Sequence, residues 1–200
     1  LNNKLDKGTY TGNAQDLKTD IDNIQIGGRN YILKSSGVLL TKTDSGTSNH
    51  QLGTSFKEFK SLRNKDLIIS FDLELIDAIA SSTIFTRQRV GFETEFVYED
   101  GSIDYIGLWY ELGDGEVNNY KNRYIGTFKL ADKDITSVTN TAVHIQGLSS
   151  GQIKVSNLKL EIGNKATDWT PAPEDKQDRL QDITGNIGVG KTDTSATEKL

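Results

Sequence analysis

The sequence predicts an all-β fold, built as an antiparallel β-sandwich or jelly roll, with a short helix on either side. Between residues 67 and 162, runs that resemble strands follow one another at roughly the spacing of a sandwich, and no helical pattern separates them. Several runs alternate apolar and polar residues, which is typical of strands with one buried face. The pair Asp100-Gly101 joins two such runs and indicates a β-hairpin.

The N-terminal flank, residues 1–25, is predicted to be a polar linker that carries one short amphipathic helix. Asn13 can cap this helix, with Asp16 placed to interact with the free N–H groups of the first turn. The apolar residues that follow are spaced i, i+4, i+7 and form one stripe, which a helix this short must bury against something. They are Leu17, Ile21 and Ile24, and Gly27-Gly28 end the pattern.

The β region is predicted to span residues 26–172. Its strand-like runs are Leu67–Ile76, Val90–Tyr98, Ile103–Leu112, Arg123–Leu130, Thr141–Gln146 and Ile153–Ile162. Gly147–Gly151 is expected to be the hairpin turn between the last two runs. Apolar alternation slips by one residue at Ser156-Asn157, and a β-bulge produces such a slip because one extra residue reverses the facing of all that follow.

The C-terminal flank, residues 173–200, is predicted to be a short helix and a flexible tail. Pro173, followed by Glu174 and Asp175, suits a helix start, and Gly185 lies near its end. The stripe of this helix is Leu180, Ile183 and Ile187. Two such flanking helices could pack on the β domain or on copies of themselves around a symmetry axis.

Composition argues against several classes of partner. The net charge of −5 and pI near 5.1 disfavour nucleic acid, because phosphate binding draws on clustered Lys and Arg. No apolar run is long enough to cross a bilayer, so no membrane partner is expected. The absence of cysteine removes disulfides and thiolate metal sites, and two widely separated histidines give no metal-ligand spacing. We therefore expect no metal ligands and no cofactor.

Two motifs resemble catalytic signatures but lack the context that those signatures need. Gly185–Thr192 (GNIGVGKT) matches the phosphate-binding loop, yet helix-like residues precede it and little chain follows. Gly147–Gly151 (GLSSG) matches a nucleophile elbow, yet a strand follows it and both His50 and His144 come earlier in the chain. The sequence thus predicts that the protein is not an enzyme.

The hairpin around Asp100-Gly101 carries the candidate binding face. If Phe92 and Leu108 point into the core, the odd-numbered residues on both strands share the opposite face. His144 and Gln146 alternate with apolar neighbours and could join that face. Aromatic rings among charged and amide groups suit a saccharide, because a ring stacks on the C–H face of a pyranose while polar groups bind its hydroxyls. The candidate ligand-binding residues are Trp109, Tyr105, Arg89, Glu93, Glu95, Glu111, His144 and Gln146.

Several alternatives remain open at this point. A facing error of one position would make Trp109 a core residue. Tyr120 and Tyr124 could form a second, loop-borne site, whereas Trp169 is expected to pack the terminus on the sandwich. A glycan hydrolase would need two carboxylates to meet in space, and the candidates are Glu93, Glu95, Asp104 and Glu111.

Two segments carry a resemblance to a known family. Lys159–Asp175 (KLEIGNKATDWTPAPED) resembles the closing strand and exit segment, and Gly27–Gly37 (GGRNYILKSSG) the opening strand, of carbohydrate-binding-module-like jelly rolls. Such domains occur in tail and baseplate proteins of phages and prophages of Gram-positive bacteria. The resemblance implies a galactose-binding-like jelly-roll sandwich over residues 26–172. Many such modules hold a structural calcium, but Lys34–Ser36 and Ser156-Asn157 lack the carboxylates that calcium prefers, which makes it doubtful here.

The resemblance also implies a function. It implies a non-catalytic carbohydrate-binding module in the tail or baseplate of a virion, which attaches to cell-wall saccharide at the outer surface of a Gram-positive host. Other tail or baseplate proteins would be its partners, and a homo-oligomer, with a trimer favoured, is expected. The alternatives are a structural spacer or decoration domain of a tail fibre and a wall-glycan hydrolase.

Overall fold

The computed structural model describes residues 13–22, 27–53 and 56–176. Helix α1 (Ala14–Asp22) begins as predicted: Asn13 Oδ1 accepts hydrogen bonds from the backbone N–H groups of Gln15 and Asp16, both at 2.9 Å. The Asp16 carboxylate in turn accepts the Asn13 N–H at 2.9 Å, which completes a reciprocal cap. Ile21 is exposed. The Leu17 side chain and Ile24 lie outside what the structure describes.

Seven strands are present in the described part of the chain, and all the pairings between them are antiparallel. Four predicted strands correspond to β3 to β6, although β3 ends later and β6 begins earlier than predicted, and Leu112 and Leu130 lie just outside β5 and β6. The predicted Asp100-Gly101 hairpin joins β4 to β5. The bounds are β1 (Val38–Lys42), β2 (Gly46–Gln51), β3 (Asp66–Ala80), β4 (Arg89–Tyr98), β5 (Ile103–Glu111), β6 (Val117–Lys129) and β7 (Ile135–Ile162).

Strand β7 is 28 residues long and organises the fold. Residues 135–146 pair with β4 and β2, and residues 148–162 pair mainly with β3 and β1. The expected hairpin turn at Gly147–Gly151 is therefore wrong. Gly147 and Gly151 do have positive φ, but Leu148 and Ser150 pair with Ala80 and Ile79 of β3, so the ladder continues through the segment. At these glycines the strand changes direction but does not fold back on itself.

The sheet thus has two halves that share β7. The first half-sheet is ordered β5-β4-β7-β2 and the second β6-β3-β7-β1. Their inner faces form one core, as the alternation of apolar residues predicted. Fully or almost fully buried members from the first half-sheet are Phe92, Phe96, Leu108, Val143 and Ile145, and from the second Ile69, Phe71, Leu73, Val155 and Leu160. Each such side chain contributes about 1.5–3 kcal/mol through burial.

The outer strands β5 and β6 of the two half-sheets lie against each other. The Tyr110 ring lies 5.1 Å from the Tyr120 ring and 5.5 Å from the Tyr124 ring, measured between centroids. The Tyr124 hydroxyl donates to the backbone carbonyl of Trp109 at 3.0 Å. Tyr120 and Tyr124 thus lie on strand β6 and pack in this seam, so the expected loop location is wrong.

The predicted β-bulge at Ser156-Asn157 is confirmed. Pairing of β7 with β3 passes from Ser70↔Lys159 to Asp72↔Ser156, so β7 carries one extra residue there. Asn157 has a φ of 53°, and its side chain binds the segments on both sides of β7, namely the residue before β1 and strand β3. Its Oδ1 accepts from the Gly37 N–H at 2.9 Å, and its Nδ2 donates to Asp72 at 2.7 Å.

The opening segment, 27–37, does not form the expected strand. It makes one isolated bridge, Ile32 to Phe56, and scattered backbone bonds that form no ladder: Tyr31 donates to Leu160 and accepts from Lys57, and Gly37 accepts from Asn157. The buried Asn30 side chain accepts hydrogen bonds from the Ile32 and Leu160 N–H groups and donates to the carbonyls of Leu158 and Thr170. Side-chain bonds thus replace backbone bonds that a strand ladder would contain here.

The exit segment, 163–172, covers part of the outer face of the second half-sheet. Lys159 and Glu161, both fully buried, lie 3.2 Å apart beneath it and bind it through Thr167 and the carbonyl of Asp168. Trp169 packs there as predicted, half-buried, with its indole N–H donating to the Leu158 carbonyl at 3.1 Å.

Residues 173–176 are helical, which agrees with the predicted helix start at Pro173. The stripe Leu180, Ile183 and Ile187, with Gly185 and the motif at 185–192, lies outside the described residues. Among the helices that the structure does describe, none has the length and apolar character needed to traverse a bilayer.

Candidate functional site

All eight candidate residues lie on the outer face of the first half-sheet, which we call the tryptophan face. The alternation of β4 and β5 places the odd-numbered residues outward, and the inner positions Phe92 and Leu108 are buried. The register sets Trp109 opposite Gly91, and Gly91 opposite His144. The members are Arg89, Glu93, Glu95, Tyr105, Trp109, Glu111, His144 and Gln146.

The Trp109 indole lies flat on the sheet because two glycines leave the surface beneath it bare. A Cβ at Gly107 would lie 2.3 Å from the indole Nε1, and a Cβ at Gly91 would lie 2.9 Å from Cε3 at the other side of the ring. A side chain at Gly107 would push the indole outward, whereas a Cβ at Gly91 would also meet the Leu108 carbonyl oxygen at 2.0 Å and would have to displace strand β5. Trp109 is half-buried and is absent from the core, so the alternative in which it faces inward is wrong.

Arg89 covers the outer side of the indole. Its guanidinium carbon lies 3.5 Å from the ring centroid, a cation–π arrangement, while its Nε donates to Gln146 at 2.9 Å. Gln146 is almost fully buried. The indole is thus held between bare sheet and a guanidinium plane, and Gln146 fixes the position of the guanidinium.

Tyr105, Glu93 and His144 complete a connected network with the indole. The Trp109 N–H donates to the Tyr105 hydroxyl at 3.3 Å, and that hydroxyl donates to Glu93 Oε2 at 2.7 Å. Glu93 Oε1 lies 3.2 Å from His144 Nε2, and the His144 ring lies 5.8 Å from the indole. Tyr105 is 54% exposed, so its ring is open to a ligand.

Burial and charge tune the two titratable groups next to Glu93. Burial lowers the pKa of His144, and the opposing effect of the Glu93 carboxylate does not reverse this. His144 is therefore neutral at pH 7. Burial, followed by the hydrogen bond to Glu93, raises the pKa of the Tyr105 hydroxyl, so this group remains a hydrogen-bond donor.

Glu95 and Glu111 lie outside the connected network. Glu95 accepts hydrogen bonds from Asn140 at 2.6 Å and Thr139 at 3.2 Å. Glu111 is exposed at the end of β5, opposite Arg89 in the ladder. Asp104, the remaining carboxylate proposed for a hydrolase, lies on the other side of β5 and accepts from the Tyr98 hydroxyl at 2.5 Å. It therefore cannot pair with the carboxylates of the tryptophan face.

The outer surface also carries a groove that the sequence did not predict. Strands β3, β6 and β7 form a groove of about 390 Å³ on the outer face of the second half-sheet, where the exit segment does not cover it. We call it the charged groove. Its lining includes Asp72, Glu74, Lys121, Asn122, Arg123, Lys154 and Ser156. These residues are far apart in sequence, and only strand register brings them together.

The described residues contain no cluster of three or more His, Cys, Asp or Glu side chains that could hold a metal ion. Near the two segments expected to flank a structural calcium, the side-chain oxygens of Asp175 and Asn157 are present. Backbone N–H groups of Lys34 and Gly37 already occupy those oxygens. The donor set here does not fit calcium.

No family model and no curated protein sequence matches the chain. The chain is similar in structure to carbohydrate-binding modules and to a phage baseplate protein. One is a family 16 carbohydrate-binding module, with 8% identity and a TM-score of 0.41 over 60% of this chain and 73% of that one. Another is the tripod of the bacteriophage Tuc2009 baseplate, with 17% identity and a TM-score of 0.46.

The tripod match covers 76% of this chain and 60% of the tripod chain, so this chain spans less than two thirds of that protein. A third similar structure is the C-terminal family 22 carbohydrate-binding module of Clostridium thermocellum Xyn10B. It has 7% identity and a TM-score of 0.37, over 64% of this chain and 74% of that one. At such identities and TM-scores, these similarities assign neither a ligand nor a site to this chain.

Proposed function

We propose that the chain is a non-catalytic saccharide-binding module of a phage tail or baseplate protein, which attaches the virion to cell-wall saccharide of a Gram-positive host. The observation that carries the proposal is the tryptophan face. This sheet surface carries a flat indole that is capped by the Arg89 guanidinium, a Tyr105 ring that is more than half exposed, and fixed polar groups around them. The resemblance of Lys159–Asp175 and Gly27–Gly37 to jelly rolls of tail proteins supports the setting.

The chemistry of the face suits a neutral sugar. The Tyr105 ring can stack on the C–H face of a pyranose, while Glu93, Glu95 and Glu111 accept hydrogen bonds from hydroxyls. Stacking on Trp109 itself requires Arg89 to leave the indole, since its guanidinium lies 3.5 Å from the ring centroid. Arg89 then becomes available to donate to the ligand. The network positions these groups before binding, which reduces the entropy lost on association.

The proposal assigns no covalent chemistry to the face. Glycoside hydrolysis needs one carboxyl group held as an acid and a second as a nucleophile or base. Glu93 and Glu95 both accept hydrogen bonds from neighbouring side chains, and Asp104 lies on the opposite side of the strand. We expect no release of reducing ends from wall polysaccharide.

A spacer of a tail fibre is the second candidate, and the chain termini of the β domain argue against it. A spacer separates its neighbours best when the chain enters at one end and leaves at the other. Here Thr170 donates to the carbonyl of Gly28 at 3.0 Å, and Arg29 forms an ion pair with Glu174, so the two ends of the domain lie side by side. A domain connected in this way adds little length to a fibre and is well placed to project sideways.

The proposal includes a homo-oligomer, with a trimer favoured, whose copies contact one another through the flanking helices. Other tail or baseplate proteins would be further partners. The exposed Ile21 on α1 supports an apolar contact there. A single face of this kind binds weakly, and several linked copies raise avidity through effective concentration.

Titration of the full chain with purified wall polysaccharide from Gram-positive hosts tests the proposal. Trp109→Ala and Tyr105→Ala should each weaken binding about tenfold or more, which corresponds to about 1.4 kcal/mol. Trp169→Phe is the matched control, because it alters the other tryptophan, on the exit segment, and should bind like the parent. Folded Trp109→Ala and Tyr105→Ala variants that bind as well as the parent would refute the assignment of the face.

A further inference from the structure

We infer that the charged groove is a second binding site, for an anionic and hydroxyl-rich ligand such as a uronate or phosphodiester unit of a glycan. The inference rests on the proposed saccharide-binding function and extends it to a second surface. It starts from the side chains that strand register brings together on the outer face of the second half-sheet.

Two rows of charged side chains cross the groove. In the first, Glu74 on β3 lies opposite Lys121 on β6 and Lys154 on β7, and both ammonium groups form ion pairs with its carboxylate. In the second, Asp72 lies opposite Arg123 and binds it at 2.9 Å. The groove therefore places three cationic side chains around two carboxylates. This local excess of positive charge stands out in a chain whose net charge is −5.

The cations have hydrogen-bonding capacity left for a ligand. Each lysine ammonium has three protons, and the ion pair with Glu74 uses one of them. Lys121 is 81% exposed, so its remaining protons face solvent at the rim. Arg123 is mostly buried and donates to Asp72, Ser70 and the Asn157 carbonyl, so the two lysines supply the protons that remain for a ligand.

The carboxylate between the lysines keeps its charge and holds them in place. Hydrogen bonds from Lys121 and Lys154 lower the pKa of Glu74 to about 2. It therefore stays ionised at any pH at which the protein would meet its ligand. An incoming anion would share the two ammonium groups with Glu74, so the site is arranged for a group with one negative charge and not for a multiply charged one.

The other lining residues determine which neutral groups of a ligand can bind beside its anionic group. Ser156 lies opposite Asp72 on the same face and supplies a hydroxyl, which suits sugar or polyol hydroxyls. The groove lining has no aromatic ring, so stacking is not its mode of recognition. The tryptophan face has the opposite character, with three carboxylates and one arginine. The two faces would thus recognise different units, neutral on one and anionic on the other.

Calorimetric titration of the full chain tests the inference with three probes: an oligogalacturonate, its fully methyl-esterified neutral form, and a glycerol phosphate oligomer. We expect both anionic probes to bind and the neutral ester to bind at least fivefold more weakly. Rising ionic strength should weaken the anionic probes, because salt screens exposed charges. Binding of only one anionic probe supports the site and identifies its anion. Equal binding of the ester, or no anion binding, would overturn it.

Two variants with opposite expected effects locate the binding. Lys121→Gln removes an exposed cation and should weaken anion binding about threefold to tenfold. Glu74→Gln removes the competing carboxylate and should strengthen it about threefold. Lys60→Gln changes an exposed lysine in the 3₁₀ turn Phe59–Leu62, away from the groove, and should leave it unchanged.

The same variants separate the two proposals. If Trp109→Ala weakens binding of wall polysaccharide while Lys121→Gln and Glu74→Gln leave anion binding unchanged, the groove inference fails and the saccharide-binding face stands. If the groove variants shift anion binding as expected while the Trp109 and Tyr105 variants have no effect on any saccharide, the groove stands and the tryptophan face fails.

Discussion

The flat indole of the tryptophan face can be tested without removing any functional group. In the Gly107→Ala variant the new Cβ would lie 2.3 Å from the Trp109 Nε1 and 3.0 Å from Cδ1. Ordinary contact begins about 1 Å further out, so the indole must rise from the sheet by roughly that distance. Gly107 does not have positive φ, and alanine is otherwise compatible with a strand there.

Two costs follow from this displacement. The crowded ring destabilises the fold by about 1–3 kcal/mol, as overpacking does elsewhere. The guanidinium of Arg89 loses its stacking position, which is worth about 0.5–1 kcal/mol at an exposed site. Because a binding site that is loose by about 1 Å loses its preorganisation, we also expect saccharide binding to weaken about tenfold. Urea unfolding and titration with wall polysaccharide measure the two effects.

A double-mutant cycle supplies the control. In a Trp109→Ala background the two indole contacts are gone, and of the three nearest atoms only Tyr105 Cε1 remains, 3.0 Å from the new Cβ. Gly107→Ala should therefore destabilise the fold much less than it does in the parent. Equal destabilisation by Gly107→Ala in both backgrounds would show that the clash is not with the indole. Parent-like stability and binding of the single variant would refute the flat arrangement itself.

Two further predictions concern the network and the buried ion pair. Burial lowers the pKa of His144, so the unfolded chain binds more protons near pH 6 than the folded chain does. The contribution of neutral His144 to the free energy of unfolding is therefore present above pH 6.5 and is lost as the pH falls. Unfolding free energies measured between pH 7.5 and 5.5 should therefore fall more steeply for the parent than for His144→Gln, and parallel curves would count against this. Lys159→Met leaves the fully buried Glu161 without its cationic partner and should lower the free energy of unfolding in urea by about 3–5 kcal/mol. The double variant Lys159→Met, Glu161→Leu should recover most of this loss. Equal losses in the single and double variants would contradict a charge effect.

The sequence predicted those features that depend on local alternation. Period-two patterning placed Phe92 and Leu108 inward and Trp109 outward, because a strand with one buried face shows its facing in every second residue. Alternation also located the bulge at Ser156-Asn157. The sequence did not predict strands β1 and β2, and β2 (GTSNHQ) has no apolar residue whose alternation could indicate a strand.

Features that depend on strand register could not be predicted in the same way. Gly147 and Gly151 have the positive φ that a hairpin turn needs, so local chemistry indicated a turn. Only the partners on β3 show that the strand continues. The charged groove is a similar case, because Glu74, Lys121 and Lys154 resemble solvated surface charges until pairing brings them together.

The stability of the fold and the candidate binding surfaces depend on different residues, which makes the binding proposals open to clean tests. Stability comes mainly from burial of the shared core, while the intact Lys159–Glu161 pair keeps the exit segment in place. The groove pairs are partly exposed, and exposed ion pairs contribute little, so groove variants should change binding without unfolding the domain. The exit segment covers one end of the second half-sheet and leaves the polar groove beside it uncovered. Three cations around two carboxylates in that opening are the observation from which we assign the groove to an anionic ligand.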